Sequence, residues 1–339
     1  MVTMKDVAEK AGVSLMTVSN VIHGKTKRVS EDTVSRIQKI IQDMNYVPNM
    51  GARNLAHQRS RLIGVVFLVP DMETRNYLQD PFISELIGAL ESKIHQYEFF
   101  MLVHLASNVQ EIVTLAQTWN VEGLIILFTD SGQNRQLVET IHKPIVFIDC
   151  YFDSSDSNFY NIGFDDFQGG LLATQHLLNM GHKNLVFVYE GPVLDGVNVL
   201  RAQGFRHALE LAGIPVNEEN SYRLRTRFES HEHDWQQLFD KRNAFTGLFL
   251  TSDRIAIECM NYFQDRGVEV PKEVSIVGFD DILYSSMVRP RLTTIHQDVT
   301  EKGIQAIELL KALIETGSSP VKEVRLPASL VTRDSVLKR

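Results

Sequence analysis

Apolar residues recur along this chain with two different periods, and the change comes near residue 60. Over the first forty-five residues the spacing is helical. Val7, Ala8 and Ala11 share one face of a predicted helix over 4–11, opened by Thr3 with Asp6 three residues on, an approximate capping box. Gly12 can enter the left-handed region and ends that helix. Ser14 caps a second predicted helix, which turns Val18, Val21 and Ile22 inward and stops at Gly24. A third is capped by Ser30 and carries Val34, Ile37, Ile41 and Met44 at helical spacing.

From Leu62 onward, near-continuous apolar runs alternate with helical stretches. The runs at 62–68, 99–104, 123–128, 144–149, 185–189, 247–251 and 275–279 read as strands. Helices are expected near 82–95, 109–119, 134–142, 167–180, 199–212, 253–267 and 299–316. Strands of this kind are covered on both faces, so the sheets are parallel. The units are too many for one compact sheet, which implies two lobes.

Charge separates the same two regions. Residues 1–61 hold ten Lys and Arg against five Asp and Glu, net +5; the chain is −8 overall, so residues 62–339 carry −13. Two short helices across a Gly turn, on a basic segment, make a helix-turn-helix that faces nucleic acid at one end of the chain only. The outward residues of its second helix are Leu15, Met16, Thr17, Ser19, Asn20 and His23, which should meet base edges. Lys25, with Thr26, Lys27 and Arg28, suits phosphates.

Composition narrows the class further. Hydrophobic residues make up 44% of 339, enough for sizeable cores. Cys150 and Cys259 offer no disulfide framework and read as buried, inert thiols in a reducing cytoplasm. No secretory h-region opens the chain, and LIGVVFLV is too short to cross a membrane. A nicotinamide enzyme would need G-x-G-x-x-G after the first core strand, where the chain has PDMETRNYLQDPF. His231, His233 and Asp234 read as solvated surface rather than a metal site, and no cofactor is expected.

Ligands in open α/β sheets sit beyond the carboxyl ends of strands. Four such ends carry Asp71, Asp149, Asp253 and Asp280. Asp253 directly precedes a helix and reads as a cap. Asp149 and Asp280 are followed by loop-like residues and read as pocket carboxylates.

The runs KDVAEKAGVSLMTVSNVIHG, RVSEDT and NYVPNMGARNLA resemble the lactose-repressor/galactose-repressor (LacI/GalR) family, and the resemblance covers essentially the whole chain. It implies an N-terminal all-α helix-turn-helix head over 1–48, with Thr3, Ser14 and Ser30 at the DNA, and a hinge and linker over 49–61. In that hinge, residues 49–57 would fold as a helix on the operator. Leu55 would wedge into the central base step, Asn49 and Arg53 would lie near phosphates, and Met50 and Ala52 would share the contact. Gly51 departs from the family pattern and costs about 1 kcal/mol of helix propensity relative to Ala. Asn20 stands where many members have Arg, so with Leu15 and Met16 the half-site should present A·T pairs.

The resemblance also implies an α/β, two-lobed, periplasmic-binding-protein-like core whose chain crosses between lobes near 160, 292 and 322. One lobe would hold 62–160 plus 293–321, the other 161–292 plus 322–339. Arg201 in VLRAQGF and Asp280 in VGFDD would grip an effector across the cleft. Phe82, Phe249 and Trp235 would supply apolar walls. Ser252 and Asp195 replace an Asn and an Arg found in some members, which leaves the ligand unassigned. The implied protein is a homodimeric, effector-controlled repressor on a near-palindromic operator, without a tetramerising tail. Its effector would be a sugar or sugar derivative; a non-sugar or phosphorylated corepressor is the alternative.

Overall fold

The computed structural model describes residues 2–22, 24–46, 60–69, 76–150, 159–191, 194, 196–225 and 230–339. They fall into two units, Met1–Ser60 and Arg61–Arg339.

In the first unit the expected caps close three helices, α1 (Met4–Ala11), α2 (Leu15–Ile22) and α3 (Glu31–Asp43). The Thr3 hydroxyl accepts from the Asp6 N–H at 3.3 Å, and the Asp6 carboxylate accepts from the Thr3 N–H at 2.7 Å. Gly12, at φ 65°, donates its N–H back to the Ala8 and Glu9 carbonyls. The Ser14 hydroxyl accepts the Thr17 N–H at 3.1 Å. Ser30 holds the N-cap position of α3, but its hydroxyl bonds that of Thr33 at 2.8 Å instead of a backbone N–H. Val7, Ala8, Ala11, Val18, Val21, Ile37 and Tyr46 form a core that fixes the angle between α1 and α2.

The second unit contains two six-stranded sheets. The first runs β2 (Phe100–Ala106), β1 (Leu62–Leu68), β3 (Gly123–Leu127), β4 (Ile145–Ile148), β5 (Asn161–Phe164) and β11 (Glu323–Leu326), all neighbours parallel. The second runs β7 (Ser221–Leu224), β6 (Leu185–Glu190), β8 (Gly247–Leu250), β9 (Ser275–Asp280), β10 (Thr293–His296) and β12 (Ser329–Val331), with only the last pair antiparallel. Helices cover both faces of each. Pro81–Gln96 and Val299–Thr316 pack on one face of the first sheet, Val109–Thr118 and Ser131–Thr140 on the other. Asp166–Asn179 and Gly196–Leu211 cover one face of the second, Glu232–Asp240 and Asp253–Gln264 the other.

The crossings between sheets correct the expected boundaries. β5 and β11 pair in the first sheet, whereas residues 161–164 and 323–326 were expected in the second lobe. β10 pairs in the second sheet, whereas 293–296 was expected in the first lobe. Each crossing therefore falls one short strand later, after Phe164, His296 and Leu326. These strands have four residues each and sequences such as TTIH and EVRL, too short and mixed to show a period. The shift places Gln297 at the middle crossing, between the lobes.

Candidate functional site

Four of the eight non-glycine residues with positive φ among the described residues stand at the carboxyl ends of strands. Phe128 after β3, Asp149 after β4, Asp280 at the end of β9 and Asp281 beside it all have positive φ, at 63°, 56°, 119° and 61°. Non-glycine residues are held there only when surrounding contacts over-determine them. At Asp149 and Asp280 those contacts converge on one polar cluster.

Lys302 is 0% exposed, in the first turn of helix Val299–Thr316. Its ammonium donates to both Asp149 oxygens, at 2.8 and 2.6 Å, and to Gln297 Oε1 at 3.3 Å. It also lies 4.1 Å from the Phe164 ring centre and 5.2 Å from that of Phe82. The Gln297 amide donates in turn to Asp280 across the crossing. One chain of bonds thus joins Asp149 of the first lobe to Asp280 of the second. Beside it, Arg201 donates through Nε to Asp166 at 2.8 Å and through a terminal nitrogen to the Thr251 carbonyl. Its guanidinium carbon stacks 3.6 Å from the centre of the Phe279 ring.

Burial sets the charge balance. It pushes the Asp280 carboxyl up to about 7, against the pull of Arg201. Burial likewise raises Asp149 and lowers Lys302, each resisted by the other partner. Burial opposes the Arg201 charge too, but Asp166 and Asp280 outweigh it and hold the guanidinium above its ordinary value.

Four of the expected effector residues meet here: Phe82, Asp149, Arg201 and Asp280. Trp235 does not present a face to a ligand. It is 4% exposed and packs with Leu224, Leu238 and Phe245. Phe249, 0% exposed, lies in the core between Phe187 and Phe279. Ser252 is the N-cap of helix Asp253–Gln264, its hydroxyl accepting the Ile255 N–H. That displaces the expected cap, Asp253. The buried Asp253 carboxylate instead takes the Ile282 N–H at 3.0 Å and the hydroxyls of Ser285 and Thr294. It ties down the loop that follows Asp280. Asp71 and Asp195 lie outside the described residues. Lys302, Gln297, Asp166 and Phe164 were missed. The one signal for Lys302 is its spacing from Val299 and Ala306 on the apolar face, which a lysine's usual reach to water overrides in a sequence reading.

The His231–Asp234 segment is a second correction. His233 is exposed as expected, but His231 and Asp234 are 5% and 6% exposed. His231 bonds Glu258 at 3.0 Å and approaches Glu190 at 3.3 Å, and Arg254 pairs with the same two carboxylates. Burial opposes the imidazolium, yet the two carboxylates of Glu190 and Glu258 beside it prevail and push its pKa up to about 9. A histidine raised in the folded state gives stability that is complete below about pH 6.5 and is lost as pH rises through the folded value. Urea unfolding from pH 6 to 10 should show this alkaline loss. His231→Gln should flatten it, and an unchanged slope would count against the paired imidazolium. Among the described residues no His, Cys, Asp and Glu group is arranged to hold a metal. Both cysteines are free and buried, and burial raises the Cys150 thiol to about 11.

On the head, α2 presents Leu15 and Met16 at 50% and 70% exposure. Thr17, Ser19 and Asn20 are half-buried on the same helix, while Thr3, Ser14, Lys25 and Ser30 are exposed. His23, Asn49, Met50, Ala52, Arg53 and Leu55 lie outside the described residues.

Comparison with known proteins places both units. Residues 3–49 match the model for bacterial regulatory proteins of the lacI family, and 174–336 match a periplasmic binding protein-like domain. The HTH-type transcriptional repressor PurR of Actinobacillus pleuropneumoniae is 30% identical over 343 residues, covering 99% of this chain and 98% of that one. The lac repressor dimer bound to operator and the anti-inducer ONPF superposes with TM-score 0.85 at 28% identity, over 99% of each chain. A LacI family regulator from Enterococcus faecium with bound ribose matches 82% of this chain and 99% of its own, with TM-score 0.69 at 27% identity. These relatives are regulators rather than enzymes. Among the described residues no helix is long and apolar enough to cross a membrane. With a helix-turn-helix head and a two-lobed core that both match over nearly their full length, the chain belongs to the LacI family of bacterial regulatory proteins and is a DNA-binding transcriptional repressor.

Proposed function

We propose that a small hydroxyl-rich molecule, a sugar or sugar derivative, binds between the lobes and controls operator affinity. The carrying observation is the bond chain Asp149–Lys302–Gln297–Asp280, which brings carboxylates from both sheets to one point at a lobe crossing. A ligand that engages Asp280 and Arg201 competes with contacts that set the spacing of the lobes, so it has the differential affinity that a conformational switch requires. The relative with bound ribose supports a sugar-sized occupant.

The protein acts as a homodimer on a near-palindromic operator. Leu283, Tyr284 and Met287 expose 67%, 53% and 58% of their surface on one turn, an apolar patch that suits a second copy. Asn20, Leu15 and Met16 favour A·T pairs in each half-site. The hinge residues act at the centre of the site, with Leu55 as wedge.

The test is site selection with the full-length protein, followed by operator titration across a panel of sugars. At least one sugar should change operator affinity. Asp280→Ala should weaken that sugar's binding at least tenfold while still binding the selected operator. A response unchanged in Asp280→Ala would move the ligand elsewhere.

A further inference from the structure

The cations that accompany the polar cluster among the described residues are each paired with a carboxylate. Arg201 is held by Asp166, Lys302 by Asp149, and Arg254 and His231 by Glu190 and Glu258. Asp280 has no such cation bonded to it; its described partner is the neutral amide of Gln297. The Lys302–Asp149 pair is neutral wherever its proton resides, so it offers no net positive charge. Lys302 is also shut away from solvent, whereas Asp149 keeps 19% of its side chain exposed in front of it.

Resting on the effector reading above, we infer that Lys302 is a positioning residue that sets the charge selectivity of the cleft. Locked behind Asp149, it adds no uncommitted cation to the described residues that meet at the lobe crossing. The pocket therefore accepts an uncharged, hydroxyl-rich molecule that donates to Asp280, and rejects the phosphorylated or carboxylated form of the same molecule. An anion entering here must either break a buried ion pair or sit beside Asp280 without a counter-charge. Both carry the penalty of unpaired buried charge. The raised Asp280 carboxyl agrees with an acid that lacks a full counter-ion.

The test uses the full-length protein and two probes. The first is inorganic phosphate at constant ionic strength, read by thermal shift. The basic head contributes equally in all variants, so differences between them report the core. Asp149→Gly suits the φ of 56° and opens a path to Lys302. It should acquire a saturable phosphate-dependent stabilisation that the unsubstituted protein lacks. Asp149→Gly/Lys302→Met should lose it again, a result that a merely structural lysine would not give. Asp149→Asn repeats the measurement should the glycine variant not fold. No gain in either folded single variant, or a gain that survives loss of Lys302, overturns the inference.

The second probe is a set of sugars, each paired with its own phosphate ester. Any pair that binds should do so at least a hundredfold more tightly in the uncharged form. Equal or tighter binding of the ester overturns the inference, and with no binder in the set the phosphate measurement alone decides. A sugar that fills the cleft without changing operator affinity would instead overturn ligand control and leave the charge rule standing.

Discussion

Gly170→Ala is expected to damage the second lobe severely and to abolish effector binding with it. Gly170 lies in helix Asp166–Asn179, where an added Cβ would stand 2.2 Å from the backbone oxygen of Arg201. The contact is reciprocal: a Cβ at Gly204 would stand 2.1 Å from the Phe167 carbonyl oxygen. Backbone atoms inside packed helices cannot swing aside, so the helices must part. Overpacking of this kind costs on the order of 3 kcal/mol or more. Parting would also carry Arg201 away from Asp166 and Asp280. Gly88→Ala is the control. It sits on an exposed helix face with nothing within 4 Å of the added atom, and should be neutral or slightly stabilising. Thermal unfolding of the three proteins decides the matter. A Gly170→Ala protein that melts within about 2 °C of the unsubstituted one would mean the helices do not approach this closely.

Arg201→Ala should lower the stability of the core as well as the affinity for effector. It removes the guanidinium bonded to Asp166, 1% exposed, and a donor from the Thr251 carbonyl. Breaking one side of a buried pair costs about 3–5 kcal/mol. Arg201→Lys should rescue it only in part, because an ammonium cannot reproduce the fork that serves both partners and stacks on Phe279. Removing both charges separates the two roles. Arg201→Met/Asp166→Leu replaces the pair with apolar volume and should recover most of the lost stability. It should not recover effector binding, measured by calorimetry with the sugar that moves the operator titration. Recovery of both would make Arg201 a structural residue only. Stability unchanged in Arg201→Ala would contradict the buried pair itself.

Local signals were sufficient for much of this protein. Thr3, Gly12 and Ser14 carry their own helix boundaries, because caps act over three or four residues. Runs such as LIGVVFL mark buried parallel strands directly, since both faces must be apolar; the run 62–68 matches β1 residue for residue. Asp149 and Asp280 could be singled out because the carboxyl end of a strand is where such folds place ligands. Tertiary structure decided the rest. β5, β10 and β11 have four residues each, and only pairing with a neighbour shows which sheet they join. Trp235 and Phe249 could equally have faced a sugar or a core, because an aromatic side chain suits either; packing placed both in cores. Asp253 reads locally as a cap, but its partners Ile282, Ser285 and Thr294 lie 29 to 41 residues away. Lys302 is the extreme case. Its spacing from Val299 and Ala306 puts it on the buried face, but an ammonium ordinarily reaches for water, and only the meeting of β4, the crossing at Gln297 and helix Val299–Thr316 supplies the partner, Asp149, that lets it stay buried. Periodicity and caps are short-range and can be read along the chain, whereas buried charge pairing joins residues 153 positions apart and exists only once the lobes have folded.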